Sequence, residues 1–280
     1  MKLTYLGTAA AEGIPALFCR CELCRTALER GGRDIKTRSQ AIVNSDLLID
    51  FPCDTYMHVI REKIDLSACR WLLVTHAHED HFYPADFGIY GDCYAHNMTS
   101  EKLEIYCNSR VKEMFDAVSR EIAIPDSIKN NLLFTVVSAF EEFSLGDRYR
   151  VTPLKANHSP NENALFYLIR EGEKQLLYAH DTGHFPEETT DYLANNLVRP
   201  VDMLSLDATL GKNHCYDGHM GFYECFDMLD ILKQRGIVDD NTVVVFNHFS
   251  HNGMLLHDEA SELAAAHGAL VSYDGMQVEL

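Results

Sequence analysis

Residues 75–81, Thr-His-Ala-His-Glu-Asp-His, place three imidazoles (His76, His78, His81) and the Asp80 carboxylate within six positions. They directly follow the apolar run Trp71-Leu72-Leu73-Val74. Where a strand runs out into a loop, alternate residues share a face, so His76 and His78 can point the same way. Asp80 and His81 then fall where the chain turns, free to serve a second ion nearby. Imidazole and carboxylate are the ligands of Zn²⁺ and similar divalent ions at hydrolytic sites. A surface loop has no reason to carry four such groups at this spacing behind a buried strand, so the run predicts metal-centred hydrolysis. A second cluster, Cys19-Arg20-Cys21-Glu22-Leu23-Cys24, supplies three thiols within six residues. In a reducing compartment that spacing favours a structural zinc over a redox pair or three buried thiols, and a fourth ligand must come from elsewhere.

The elements that must position these groups are legible as apolar segments bounded by turn residues. Strands are expected at 2–7, 40–51, 70–75, 102–107, 132–137, 149–156, 164–169, 175–179, 203–206 and 242–246, with a final hairpin near 270–280. Asn44-Ser45-Asp46 reads as a hairpin turn within the second segment, and Glu171-Gly172-Glu173-Lys174 as another. Helical periodicity fits 22–30, 55–62, 109–120, 187–197, 221–235 and 258–267, with Gly236 stopping the fifth helix. There is no linker, internal repeat or low-complexity tract. The order of elements predicts an α/β chain in which residues 1–280 form a single two-sheet sandwich flanked by helices.

Composition bounds the class. The hydrophobic share of 46% and charged share of 24% are those of an ordinary globular protein. No apolar run approaches the roughly 18 residues of a membrane span, and the N-terminal Met1-Lys2-Leu3-Thr4-Tyr5 reads as a strand, not a leader, so a cytoplasmic location is expected. Six scattered cysteines (Cys53, Cys69, Cys93, Cys107, Cys215, Cys225) read as buried small hydrophobes. A formal charge of −18 would repel a polyanion and argues against nucleic acid as a partner. The basic stretch Arg20, Arg25, Arg30, Arg33, Lys36 and Arg38 weakens that argument without cancelling it.

The His-x-His-x-Asp-His run resembles the signature of the metallo-β-lactamase-fold hydrolases. That resemblance implies a four-layer αββα sandwich with its active site at one edge, built from strand-end loops. It also implies two divalent ions, one on His76, His78 and His158, the other on Asp80, His81 and His248. Asp181, in a strand-end Asp-Thr-Gly, and a shared hydroxide would link the two. Pro160 stiffens the loop that carries His158. Asp50 matches an early Asp of the family and is expected to orient the loop or a ligand imidazole. His180 and His184 flank the Asp181 motif; a strand neighbour of Asp181 should face away from the metals. Gly7-Thr8, Gly13-Ile14-Pro15 and the cysteine trio further resemble the phosphoribosyl 1,2-cyclic phosphate phosphodiesterases of the carbon–phosphorus lyase pathway. There the structural zinc (Cys19, Cys21, Cys24) is completed by a His three residues after the last catalytic His, here His251.

The implied activity is metal-dependent hydrolysis of a small cyclic or nucleotide-like phosphate diester, with Zn²⁺ or Mn²⁺ at the catalytic pair. His219, in Asp217-Gly218-His219-Met220-Gly221, is the candidate proton donor to the leaving group, and Asp80 the second catalytic candidate. Asp207 is placed to orient His219, a following helix N-terminus would favour an anion, and His214 and Tyr216 are candidates for lining the substrate pocket. Two readings compete on the same centre. A tRNA 3′-processing endonuclease would carry a long Gly-rich basic arm, which the sequence lacks. A lactone or thioester hydrolase would use the same ligands. His78 stands where iron-dependent relatives carry Glu, which favours hydrolysis over redox chemistry. The family admits a homodimer.

Overall fold

The computed structural model describes residues 1–280. The chain opens with β1 (Lys2–Gly7), α1 (Glu22–Arg30), β2 (Gln40–Val43), β3 (Leu47–Ile49), α2 (Thr55–Glu62) and β4 (Trp71–Leu73). It continues with β5 (Leu103–Cys107), α3 (Ser109–Glu121), α4 (Asp126–Lys129) and β6 (Leu132–Val136). The second half holds β7 (Phe143–Leu145), β8 (Tyr149–Lys155), β9 (Leu165–Glu171), β10 (Lys174–Ala179), α5 (Glu187–Asn196) and β11 (Met203–Asp207). It closes with α6 (Phe222–Gln234), β12 (Val243–Asn247), α7 (His257–Ala265), β13 (Ala269–Val271) and β14 (Gln277–Glu279).

These strands form two seven-stranded sheets, ordered β14-β1-β2-β3-β4-β5-β6 and β13-β12-β11-β10-β9-β8-β7. Each is antiparallel at one side and parallel at the other: β3 to β6 run parallel in the first, β10 to β13 in the second. Side-chain alternation explains the layering. In β4 and the residue after it, Trp71 and Leu73 enter a core between the sheets, while Leu72 and Val74 enter a second core on the outer face beneath α3. In β11, Met203 faces the other sheet, whereas Leu204 and Leu206 pack outward with Phe222, Cys225 and Met228 of α6. Two sheets face to face, with helices covering both outer faces, make the four-layer αββα sandwich. No helix is long and apolar enough to cross a membrane.

Two expectations fail. The segment near 270–280 is not a hairpin: β13 joins β12 in parallel at the edge of the second sheet, while β14 pairs antiparallel with β1 in the first. Residues 272–276 therefore cross between the sheets, and alternation along the chain carries no record of which sheet a strand joins. The scattered cysteines are also not uniformly buried. Cys69, Cys107 and Cys225 are, but Cys53 and Cys93 are exposed and Cys215 is half-buried.

Candidate metal centre

Parallel strands that end at the same edge bring their following loops together, and the crevice outside carboxyl strand ends is where such sheets bind ligands. His76 and His78 follow β4, Asp50 follows β3, and His158 follows β8. Asp181 follows β10, Asp207 ends β11, and His248 follows β12. Asp50, Asp181 and His248 take left-handed backbone conformations (φ 63°, 50° and 67°), which breaks strand alternation just where each side chain must turn into the crevice.

The predicted groups converge. His76 Nε2 lies 2.9 Å from His78 Nδ1, and His158 Nε2 lies 3.1 Å from the same atom. His81 Nε2 is 3.2 Å from His248 Nε2, with Asp80 Oδ2 at 3.3 and 3.6 Å from the two. Asp181 spans both clusters: Oδ2 sits 2.6 Å from His81 Nε2 and 3.0 Å from His248 Nε2, and Oδ1 3.6 Å from His158 Nε2.

The donor set fits divalent cations. An ion about 2.0–2.1 Å from tetrahedral nitrogens sets them roughly 3.3 Å apart, close to the spacing seen. Asp181 Oδ2 is buried and, despite two imidazole nitrogens within 3.0 Å, has no hydrogen bond of acceptable direction. The other nitrogen of His76, His81, His158 and His248 is occupied, with His76 Nδ1 3.0 Å from Thr75 Oγ1. His81 Nδ1 donates to Asp50 Oδ2 (2.7 Å), His158 Nδ1 to the Gly218 carbonyl (2.9 Å), and His248 Nδ1 lies 2.8 Å from Thr209 Oγ1. Such partners fix the tautomer and aim Nε2 inward. Asp50 also takes the Thr75 N–H (2.8 Å), so it holds both the loop and a candidate ligand, as its position implied.

Charge points the same way. Asp50, Asp80, Asp181 and Asp207 are 0–5% exposed, a concentration of buried carboxylates that needs positive charge nearby. Burial alone would lower His81 and His248, but Asp181 and the neighbouring carboxylates outweigh it, holding His81 well above its ordinary value and His248 up at about 10. Burial, reinforced by His81, keeps His76 well below its ordinary value, hence neutral and free to coordinate.

His219 stands beside this centre. Its Nδ1 lies 3.0 Å from Asp207 Oδ2, its ring 4.9 Å from that of His158 and stacked on His248. Burial would lower its pKa, yet the Asp207 carboxylate more than offsets this and raises it. Asp207 is a hub, accepting also from the backbone N–H groups of Asp181, Thr209 and Met220.

Other candidates fall elsewhere. His180 belongs to no ligand cluster. His184 Nε2 bonds the Glu224 carbonyl (3.1 Å), and His214 Nδ1 the Glu224 carboxylate (2.7 Å), so both pin loops to α6. The start of α6 is not open to an anion, because Glu224 Oε2 already accepts from the Gly221 N–H. Tyr216 is half exposed, and its carbonyl accepts from His184 N and Asn157 Nδ2. Three supporting residues escaped sequence reading: Thr75, Thr209 and Glu162, whose carboxylate accepts from Ala77 N (3.1 Å) and Asn108 Nδ2 (2.9 Å). None sits in a spacing that distinguishes it from an ordinary loop residue.

The cysteine cluster also assembles. Cys19, Cys21, Cys24 and His251 place their ligand atoms within 4.8 Å of one another, with Cys21 Sγ 3.6 Å from His251 Nδ1. That His251 contact is the main reason the Cys21 thiol is drawn down to about 6. Phe249, between His248 and His251, is tied by backbone bonds to Thr8 and Ala10, so one short loop serves both centres.

No curated protein sequence matches the chain. Solved structures share its fold over its full length. A diphosphatase of the PhnP family aligns with TM-score 0.75 at 22% identity, over 100% of this chain and 97% of that one. Zn²⁺-bound PqqB from Methylobacterium extorquens gives 0.71 at 17%, over 100% of each. The human short-form tRNase Z gives 0.68 at 14%, over 100% and 99%. At these identities the likeness is one of fold. Residues 53–249, from just past Asp50 to just past His248, match the family described as the beta-lactamase superfamily domain, and the chain belongs to that superfamily as a hydrolase of the metallo-β-lactamase fold.

Proposed function

We propose that the chain is a binuclear metal-dependent phosphodiesterase that cleaves a small cyclic or nucleotide-like phosphate diester. His76, His78 and His158 would hold one ion, Asp80, His81 and His248 the other, and Asp181 would contribute an oxygen to each. Bound there, a pair of divalent cations acidifies water and neutralises charge on phosphoryl oxygens. The cysteine cluster with His251 would hold a separate structural zinc.

The observation that carries the reading is the His219–Asp207 pair at 3.0 Å beside both clusters. Phosphodiester cleavage expels an alkoxide, which needs a proton. Asp207 accepts from Nδ1 and leaves Nε2 as the proton-bearing nitrogen for the leaving oxygen, while its charge keeps the imidazole protonated to higher pH. A diphosphatase among the similar folds supports phosphate as the substrate group. Half of the basic stretch is engaged within the fold: Lys36 is buried, Arg38 pairs with Asp54 at 3.1 Å, and Arg33 lies over Tyr273.

Assay of bis-p-nitrophenyl phosphate, cyclic nucleotides, ribose cyclic phosphates, lactones and thioesters with Zn²⁺ or Mn²⁺ tests this directly. Turnover of a cyclic phosphate should lead, and His219→Ala should lower it roughly a hundredfold with metal content unchanged. A lactone or thioester as the best substrate would end the phosphodiesterase reading.

A further inference from the structure

His180 is fully buried beside Asp181, yet it takes part in no ligand cluster. Its Nε2 lies 2.7 Å from Ser205 Oγ on β11, and its Nδ1 3.1 Å from Asn247 Nδ2 at the end of β12. Ser205 Oγ in turn meets the Tyr5 hydroxyl of the first sheet at 2.6 Å. The other end of the Asn247 amide accepts from the Ser272 hydroxyl, and the Ser272 carbonyl from buried Lys36 (2.9 Å). The result is a continuous buried chain, Tyr5–Ser205–His180–Asn247–Ser272, running beneath the crevice. A neutral imidazole offers one donor and one acceptor at fixed separation, and both are used here.

The positions matter more than the count of bonds. His180 immediately precedes Asp181, and Asn247 immediately precedes His248. β11 lies between β10 and β12, with Ala179 opposite Leu206 and Asp207 opposite Asn247, so the His180–Asn247 bond reaches across the middle strand. The residues that follow each end are the two left-handed ones in this sheet whose side chains meet at 3.0 Å. Such backbone is costly for a residue with a Cβ, so surrounding contacts must hold it.

We propose that His180 and Asn247 form a buried strap that sets the separation and orientation of Asp181 and His248, making His180 a positioning residue for the metal pair rather than a ligand. The proposal rests on the metal-centre reading above. Co²⁺ titration against a competing chelator tests it, because thiolate absorption reports the cysteine cluster separately. His180→Ala and Asn247→Ala should each weaken binding at the histidine clusters roughly tenfold and leave the thiolate-bound ion in place. The double variant should be no weaker than either single one. His180→Gln keeps a donor and an acceptor and should recover most of the affinity. If His180→Ala does not fold, Asn247→Ala carries the same test. Unchanged affinity in the alanine variants, or equal weakening by Gln and Ala, would overturn the strap. Wild-type protein that binds Co²⁺ only through thiolates would instead overturn the metal reading beneath it.

Discussion

The two sheets contribute to the crevice in different ways. The first supplies His76, His78, Asp80 and His81 from one turn after β4, braced by Asp50 at the end of its neighbour. The second supplies His158, Asp181, Asp207 and His248 from four separate strand ends, spread over 91 positions from 158 to 248. A local cluster is held by its own turn; a dispersed one is held by the register of the sheet. The contrast teaches where the centre is robust and where it is vulnerable. Removing a single-cluster ligand from either sheet should cost one ion, whereas shifting the register of the strand ends should disturb both clusters together.

Asp181 gives the largest expected effect, because its two oxygens face the two clusters. Asp181→Ala should release both ions and lower turnover at least roughly a thousandfold, the scale of several kcal/mol of lost charge stabilisation. His78→Ala and His158→Ala, from opposite sheets, should each cost one ion and the same one. Metal analysis with single-turnover assays checks all three. If Asp181→Ala kept both ions while His158→Ala lost two, the strand ends would not converge as described.

The difference between the sheets also explains what could be read from the residues alone. The turn after β4 is contiguous, so its chemistry is visible in one glance at positions 76–81. Helices α1 and α2 begin and end where periodicity placed them, and α1 carries its own start and stop signals: Cys21 accepts from Cys24 N at its head, and Gly31 follows its end. The dispersed ligands are different. Nothing local marks His158 or His248 as inward-facing, and only resemblance to a known family put them with the turn. Strand alternation predicted that His180 would face away if Asp181 faced the metals. His180 enters no ligand cluster and bonds Ser205 and Asn247 below the crevice. The supposed hairpin at the C-terminus failed for the related reason that sheet membership is a long-range property, seen in β14 pairing with β1.

The cysteine cluster sharpens the comparison, since it joins an N-terminal loop to the strand-end loop of His248. Cys19→Ser should lower bound zinc by one equivalent and stability by about 3 kcal/mol, within the range for losing a structural ligand. The catalytic pair should suffer less than in Asp181→Ala, because the Phe249 backbone bonds to Thr8 and Ala10 remain. Zinc analysis and thermal melts check this. An unchanged zinc count would remove the cluster from the list of metal sites.

The smallest effect concerns the first sheet away from its turn. His58 of α2 is buried, its Nδ1 2.6 Å from Gln40 Oε1 on β2 and its Nε2 2.8 Å from Thr37 Oγ1. Burial lowers its pKa from 6.5 to about 4, so the folded chain holds this imidazole neutral. Between those values the unfolded chain binds a proton that the folded chain refuses. Stability from His58 is therefore complete above pH 6.5 and is lost as pH falls toward 4, by on the order of 2–3 kcal/mol. Denaturant titrations of metal-free protein, wild type against His58→Gln, isolate this group from the imidazoles of the crevice. The variant should lose less stability than wild type across that window. Equal losses would mean that acid acts on the dispersed strand-end cluster and leaves the α2 packing intact.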